Sequence, residues 1–171
     1  TASLDLQQVL TRCHDHVSKI LDAHVLLIGI YRETEHVLDF AFWIENNHLA
    51  PSFTIELTNT DVPSVVCFTQ QREIIVSRVE DFLRYLPAIP SPLYGELTRS
   101  VLYFPLTING KPVGVFSVQS LQEQAYQAAQ IDLMRTLASY VAISVANADS
   151  YEQLQQTQQK LITQEKMASL G

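Results

Sequence analysis

Cysteine is scarce: Cys13 and Cys67 are the two in 171 residues, too few for a disulfide framework. Their number points to a reducing, cytosolic compartment. Basic residues are also few, with 11 Lys and Arg against 18 Asp and Glu and a formal charge of −7. That balance argues against nucleic acid and anionic membrane as partners, because both need a basic face. No apolar run reaches the length of a membrane span, since Arg, Glu, His and Asp interrupt every candidate. The opening Thr1-Ala2-Ser3-Leu4-Asp5 lacks the basic stretch and apolar core of a secretory signal. Membrane spans of a longer parent protein, if present, would lie outside these residues. Neither a Gly-rich phosphate loop nor a nucleophile elbow is visible.

Apolar patterning is what the chain does have. Hydrophobic residues make up 47%, enough for one sizeable core plus an extended element. Leu6, Val9, Leu10, Cys13, Val17, Ile20 and Leu21 recur at three- and four-residue spacing, which predicts an opening helix of about 20 residues. Ser3 is a suitable cap for it, with Asp5 in the first turn. Val25 to Tyr31 is a continuous apolar run, the pattern of a strand covered on both faces. A polar turn leads to a second strand from His36 to Ile44. Phe53, Ile55 and Leu57 alternate with polar residues in a half-buried third strand. Thr60 or Asp61 is expected to cap a short helix reaching Gln71, with Pro63 in its first turn. Glu73 to Val76 reads as another strand. From Ser77 to Arg99, Pro87, Pro90, Pro92 and Gly95 predict a loop-rich cover.

Asn109-Gly110 is the strongest local signal, since these residues supply the two positive φ angles of a type I′ hairpin turn. It joins the runs Ser100–Ile108 and Lys111–Ser120. Pairing outward from the turn sets Leu106 opposite Val113, Phe104 opposite Val115 and Leu102 opposite Ser117. Val101, Tyr103, Phe116 and Val118 then share the other face. Pro105, inside a strand apolar on both sides, calls for a bulge. From about Ala128 onward there is no Pro, and no Gly before Gly171. A helix of that length measures roughly 60 Å, so its second half must leave the globule. Leu154, Leu161 and Ala168 keep one face along it while the rest turns rich in Gln. A lone helix with so thin a seam needs a partner.

This order of elements resembles the GAF family of sensory domains over about residues 3–150. The stretch from Ser100 to Leu106, then Asn109 to Val118, carries the likeness most specifically: a serine–apolar–Pro-Leu strand, a turn and a Gly-Val strand. Tyr126 and Asp132 fall where the family carries an aromatic and an Asp at the start of its final helix. The run Gln164-Glu165-Lys166-Met167-Ala168-Ser169-Leu170-Gly171 resembles the opening of the dimerisation helix of sensor histidine kinases, whose phosphorylated His lies further along. The resemblance implies an α+β fold with a central antiparallel sheet of five to six strands. The N- and C-terminal helices would lie on one face and short helices and loops on the other. It divides the chain into a sensor domain, 3–150, and a signalling coiled coil, 151–171, leading into a kinase region.

Carried over by segment, the family's ligand pocket would be lined by Phe42 and Trp43 from the second strand. Ser64 and Val65 would join from the short helix, and Arg78, Tyr85 and Tyr94 from the cover. The ligand itself is unknown, and no cofactor is assigned. Val62-Pro63-Ser64 stands where relatives carry glycines, and Pro63 has no N–H for a phosphate. The motif of cyclic-nucleotide-binding relatives is missing near 119–132, and Cys67 lacks the neighbouring His of chromophore-binding ones. His14 and His16 point to different helix faces, and His24, His36 and His48 are scattered, so no metal site is expected. One GAF branch reduces free methionine sulfoxide with reactive cysteines. Here no cysteine pair and no basic cluster lowers a thiol pKa, so the fragment is expected not to be an enzyme.

The implied function is therefore small-molecule sensing in a bacterial, cytoplasmic two-component histidine kinase, with the kinase domain in cis. Homodimerisation would run through Val141, Val145, Ala148, Leu154, Leu161 and Ala168. A dimerisation spacer that binds no ligand is the competing reading.

Overall fold

The computed structural model describes the backbone of residues 2–171 and the side chains from Asp5 onward. The side chain of Ser3, expected as a cap, lies outside the described residues. Helix α1 (Ala2–Val17) buries Leu6, Leu10, Cys13 and Val17, and Leu21 follows them into the core. Ile20 does not follow: the helix ends at Val17, and Ile20 is 49% exposed. Leaving the helical path breaks the 3.6-residue periodicity on which its place in the stripe depended.

Seven antiparallel strands form one sheet: β1 (Val25–Arg32), β2 (Val37–Glu45), β3 (His48–Leu49), β4 (Phe53–Glu56), β5 (Ile74–Val76), β6 (Ser100–Ile108) and β7 (Lys111–Ser120). Their order is β3-β2-β1-β7-β6-β5, and β4 shares the outer edge of β2 with the two-residue β3. Between β4 and β5 lies α2 (Pro63–Gln70). A short 3-10 helix (Val79–Arg84) follows β5 and opens the cover. The final helix α3 runs from Ala128 to Leu170.

The fold is thus α+β with two apolar cores, one on each face of the sheet. On one face, α1 and the first half of α3 pack on Leu26, Ile28, Leu102, Phe104, Phe116 and Val118. On the other, α2, the 3-10 helix and the cover enclose Val25, Leu27, Val101, Tyr103 and Val115. Strands buried on both faces need apolar residues at every position, which is why β1 and the hairpin read as continuous apolar runs.

The hairpin turn is as the dipeptide predicts, with φ of 51° at Asn109 and 78° at Gly110. The register beyond it is not. Leu106 faces Gly114, Phe104 faces Phe116 and Leu102 faces Val118, because the ladder slips by one residue between Leu106 and Thr107. Val113 is the extra residue, so the bulge lies beside the turn and not at Pro105. A slip of one reverses which face each later residue of β7 occupies. Phe116 and Val118 consequently join Leu102 and Phe104 under the helices, while Val115 and Ser117 turn to the cover side. Pro105 needs no bulge, since β5 pairs with β6 only from Val101 to Tyr103. One side of β6 at Pro105 therefore has no ladder to complete.

The start of α2 also differs from expectation. Val62 occupies the cap position without a side-chain hydrogen bond, and Pro63 is the first helical residue. Proline fits there because its missing N–H would be unpaired anyway. Neither Thr60 nor Asp61 caps the helix, which begins beyond their reach.

On α3, Met134, Ala138, Val141, Ala142 and Val145 face the sheet and are buried. Tyr126 donates to the backbone carbonyl of Asp22 at 2.8 Å, and Gln130 Nε2 donates to that of Ile20 at 3.1 Å. These bonds tie the start of α3 to the segment after α1. Every residue from Asp149 onward is exposed, so roughly 33 Å of helix stands clear of the globule at about 1.5 Å per residue.

Candidate functional site

A cavity of about 120 Å³ lies between the sheet and the cover. Strand register defines its floor as two cross-strand rows. One row runs Glu45, Val25, Gln119, Val101; the next runs Trp43, Leu27, Ser117, Tyr103. Residues two apart on a strand share a face, and this face is the one turned to the cover. The roof comes from the start of α2, with Val62, Pro63 and Ser64, and from the segment Pro90 to Thr98.

Aromatic rings form one wall. The Trp43 centroid lies 5.6 Å from Phe53 and 5.7 Å from Tyr94, and Phe53 and Tyr94 are 5.5 Å apart. Phe40 stacks behind Phe53 at 4.8 Å. The indole N–H of Trp43 donates to the carbonyl of Pro51 at 2.7 Å, which holds the ring in one orientation. Tyr94 sits on the cover and is 47% exposed.

Polar groups sit deeper. Gln119 Nε2 donates to Ser117 Oγ at 2.9 Å and to the Tyr103 hydroxyl at 3.2 Å, and Gln119 Oε1 accepts from Thr98 Oγ1 at 2.7 Å. Both amide hydrogens of Gln119 are thereby used. Burial pushes the Tyr103 phenol up to about 12, so it stays a neutral donor. Ser64 is different: its hydroxyl is buried and has no hydrogen-bond partner among the described residues. A buried orphan hydroxyl costs about 1–3 kcal/mol, so this atom marks a place where a guest oxygen or nitrogen is favoured. The backbone N–H groups of Ser64 and Val65, in the first turn of α2, have no intrahelical carbonyl to bond.

Among the residues expected to line a pocket, Trp43, Ser64 and Tyr94 meet at this cavity. Phe42 does not, because alternation along β2 turns it toward the helix-side core. Val65 is wholly buried in the cover-side core. Tyr85 reaches the backbone of Ile75, with Arg72 over its ring at 4.6 Å. Arg78 lies at the entry to the 3-10 helix, outside the lining. Sequence reasoning missed Phe53, Tyr103, Gln119 and Glu45. The alternation of Phe53 with polar neighbours was a usable signal. The face of Gln119, on β7 beyond the bulge, depended on the hairpin register that the bulge resets.

Both thiols are buried, one in each core: Cys13 on the helix side, Cys67 on the cover side. Burial pushes Cys13 up to about 12, and Cys67 further in the same direction, with Glu73 adding to it. The sheet stands between them.

The outer face of α3 carries a different pattern. Leu133 and Tyr140 are 44% and 65% exposed, and Leu154 and Leu161 are 55% and 57% exposed. With Asn147 and Ala168 they recur every seven residues along one line. Val141 and Val145, expected in a dimer seam, instead lie on the inward face and are consumed by the domain's own core. Ala148 is half-buried against α1 and β2, where it shares a shallow groove with Leu6 and Phe42.

A family model described as GAF domain matches residues 3–146. The circadian input-output histidine kinase CikA of Thermosynechococcus vestitus is 23% identical over 90% of this chain, which spans 22% of that protein's length. Among solved structures, the second GAF domain of DevS from Mycobacterium smegmatis superposes with a TM-score of 0.63 at 13% identity, covering 90% of this chain and 99% of that one. Free methionine-R-sulfoxide reductase from Neisseria meningitidis, solved with its substrate, gives a TM-score of 0.66 at 13% identity, covering 88% and 86%. Identities this low establish a shared fold alone.

Proposed function

This chain belongs to the GAF-domain family, and from that premise we propose that it is the ligand-sensing domain of a histidine kinase. A small molecule in the cavity would bias how two copies of α3 pair, and so the kinase in cis. One observation carries the reading: a single pair of strands serves both sites. Val101, Tyr103 and Gln119 of β6 and β7 line the cavity, while Leu102, Phe104, Phe116 and Val118 of the same strands pack under α3. A shift of the sheet on one side therefore cannot avoid the other, because packed interiors transmit small displacements instead of absorbing them. A ligand shifts this equilibrium only by its difference in affinity between the two arrangements.

The output is a parallel homodimer along Leu133, Tyr140, Asn147, Leu154, Leu161 and Ala168. The polar Asn147 and the Gln-rich flanks make the seam weak, which suits a switch, because register or crossing then changes at low cost. We assign no catalysis to the fragment. Both thiols are buried, one in each core, which supports a non-catalytic reading.

Melting curves against a metabolite panel test the sensor reading, since an occupied site raises the melting temperature with ligand concentration. A panel that shifts nothing, with the dimer intact by sedimentation, would leave a dimerisation spacer instead.

A further inference from the structure

The chemistry of the cavity narrows the ligand class, on the premise that the cavity is a ligand site. The charged side chains in its lining are Glu45 and Glu96; among the described residues no lysine, arginine or histidine joins them. Neither carboxylate has a salt-bridge partner among the described residues. Glu45 is half-buried and stands on the floor in the row next to Trp43, while Glu96 is exposed on the cover. An anionic guest such as a nucleotide would meet two uncompensated negative charges. Its size is also wrong, since about 120 Å³ falls well below the roughly 300–1,000 Å³ of sites for drug-sized ligands.

A small cation meets the opposite situation. Aromatic faces attract cations within about 6 Å of the ring centroid, and Trp43, Phe53 and Tyr94 stand together beside Glu45. These rings also shed water, which favours a cation wrapped in alkyl groups over a strongly hydrated ammonium or metal ion. At the α2 end the requirement changes. The buried, unpartnered hydroxyl of Ser64, the free N–H groups of the first turn of α2 and the neutral Tyr103 phenol all offer donors. They ask for an oxygen acceptor on the guest. α2 packs over β6 and β7, and β7 lies two strand spacings, roughly 10 Å, from β2. A molecule of choline's size spans that gap.

We propose that the cavity binds a small alkylated ammonium compound, with its cationic head against Trp43, Phe53, Tyr94 and Glu45 and an oxygen at its other end on Ser64. No covalent step is involved.

Trp43 is the single tryptophan of the chain, so its emission reports the site directly. The experiment titrates the full chain with choline, with tetramethylammonium and with 3,3-dimethylbutan-1-ol, which has choline's shape with carbon in place of the charged nitrogen. Choline should shift Trp43 emission saturably and bind at least about tenfold more tightly than the neutral alcohol. Glu45→Gln should remove most of that preference. Ser64→Ala should weaken choline several-fold and leave tetramethylammonium unchanged. Should Glu45→Gln not fold, judged by its melting curve, Glu96→Gln replaces it and should lower the preference in the same direction. Equal binding of choline and its neutral analogue would overturn the cation assignment. So would a preference that survives loss of the carboxylate in a folded variant. If a neutral or anionic metabolite moves Trp43 emission and both ammonium compounds are silent, the ligand class falls and the sensor reading stands. If no compound moves either the emission or the melting temperature, both fall.

Discussion

The carboxylate of Glu45, on the floor of the cavity, fills the space that a side chain at Gly95, on the cover, would occupy. Gly95 also sits at a φ of +64°, a conformation that costs a non-glycine residue about 1–2 kcal/mol. Sheet and cover are thus fitted to each other at one point beside the aromatic wall.

Gly95→Ala should therefore lower stability by about 1–2 kcal/mol. It should also loosen the site, because the flexible Glu45 side chain is the part able to move aside. Urea unfolding measures the first effect. A red shift of Trp43 emission in the native state, as the cover lifts and water enters, measures the second. A native spectrum identical to the parent's would show that Glu45 and the cover are not coupled.

Gly114→Ala is a harsher change with a different cause. A Cβ there would collide with the backbone carbonyl of Gly29 on the neighbouring strand, and neither backbone is free to move within a sheet packed on both sides. The loss should reach or exceed the upper end of the roughly 1–3 kcal/mol of an overpacked core. A midpoint of urea unfolding within experimental error of the parent would contradict the close approach of β1 and β7.

Those two glycines show how unevenly the sequence discloses this protein. Gly110 announced its role through its neighbour Asn109, because a type I′ turn has a local signature. Gly95 and Gly114 gave no such sign, since what excludes a side chain at each lies far along the chain. The hairpin behaves the same way. Its strands and turn were legible in apolar runs and a dipeptide, but runs apolar on both faces carry no alternation to fix register. The bulge at Val113 therefore has no local signature, and with it the cavity face of Gln119 has none. Of the residues carried over from the family resemblance, Trp43, Ser64 and Tyr94 line the cavity. Phe42, next to Trp43, went to the opposite face because adjacent strand residues must part. On α3, burial separates Leu133 and Tyr140, which are exposed, from their neighbours Met134 and Val141, which are buried.

Adjacent residues on α3 should accordingly behave as opposites. Met134 is buried against the sheet at 1% exposure, so Met134→Ala should cost about 2–5 kcal/mol of domain stability. Leu133→Lys and Leu161→Lys, on the outer line, should change that stability by less than about 0.5 kcal/mol while shifting sedimentation from dimer to monomer. A Leu161→Lys variant that remains fully dimeric would place the partner contact on another face.

Acid should release the 3-10 helix before it reaches the core. Asp81 accepts the backbone N–H groups of Ser77 at 2.9 Å and Arg78 at 3.1 Å, and these bonds hold its carboxyl below the ordinary carboxylate range. A pKa lowered in the folded state stabilises above the unfolded value and loses that contribution as pH falls through the folded one. Asp81→Ala should thus be less stable than the parent at neutral pH. The gap should close below the usual aspartate range of about 4. Melting curves of both proteins across pH 2–7 would show it. A gap that persists unchanged at the acid end would assign the effect to packing.

Thiol chemistry decides between a sensor and a reductase. Cys13, pushed up to about 12 by burial, and Cys67, raised further in the same direction, hold almost no thiolate near neutral pH. The thiolate is the reactive form, so iodoacetamide at pH 8 should label neither cysteine in the native protein and both after denaturation. Labelling should then follow the rate of unfolding, because access and ionisation are gained in one event. The protein should accordingly show no turnover of free methionine sulfoxide with dithiothreitol above the rate without protein. Rapid native labelling of Cys67, with turnover lost in Cys67→Ser, would overturn the non-catalytic assignment.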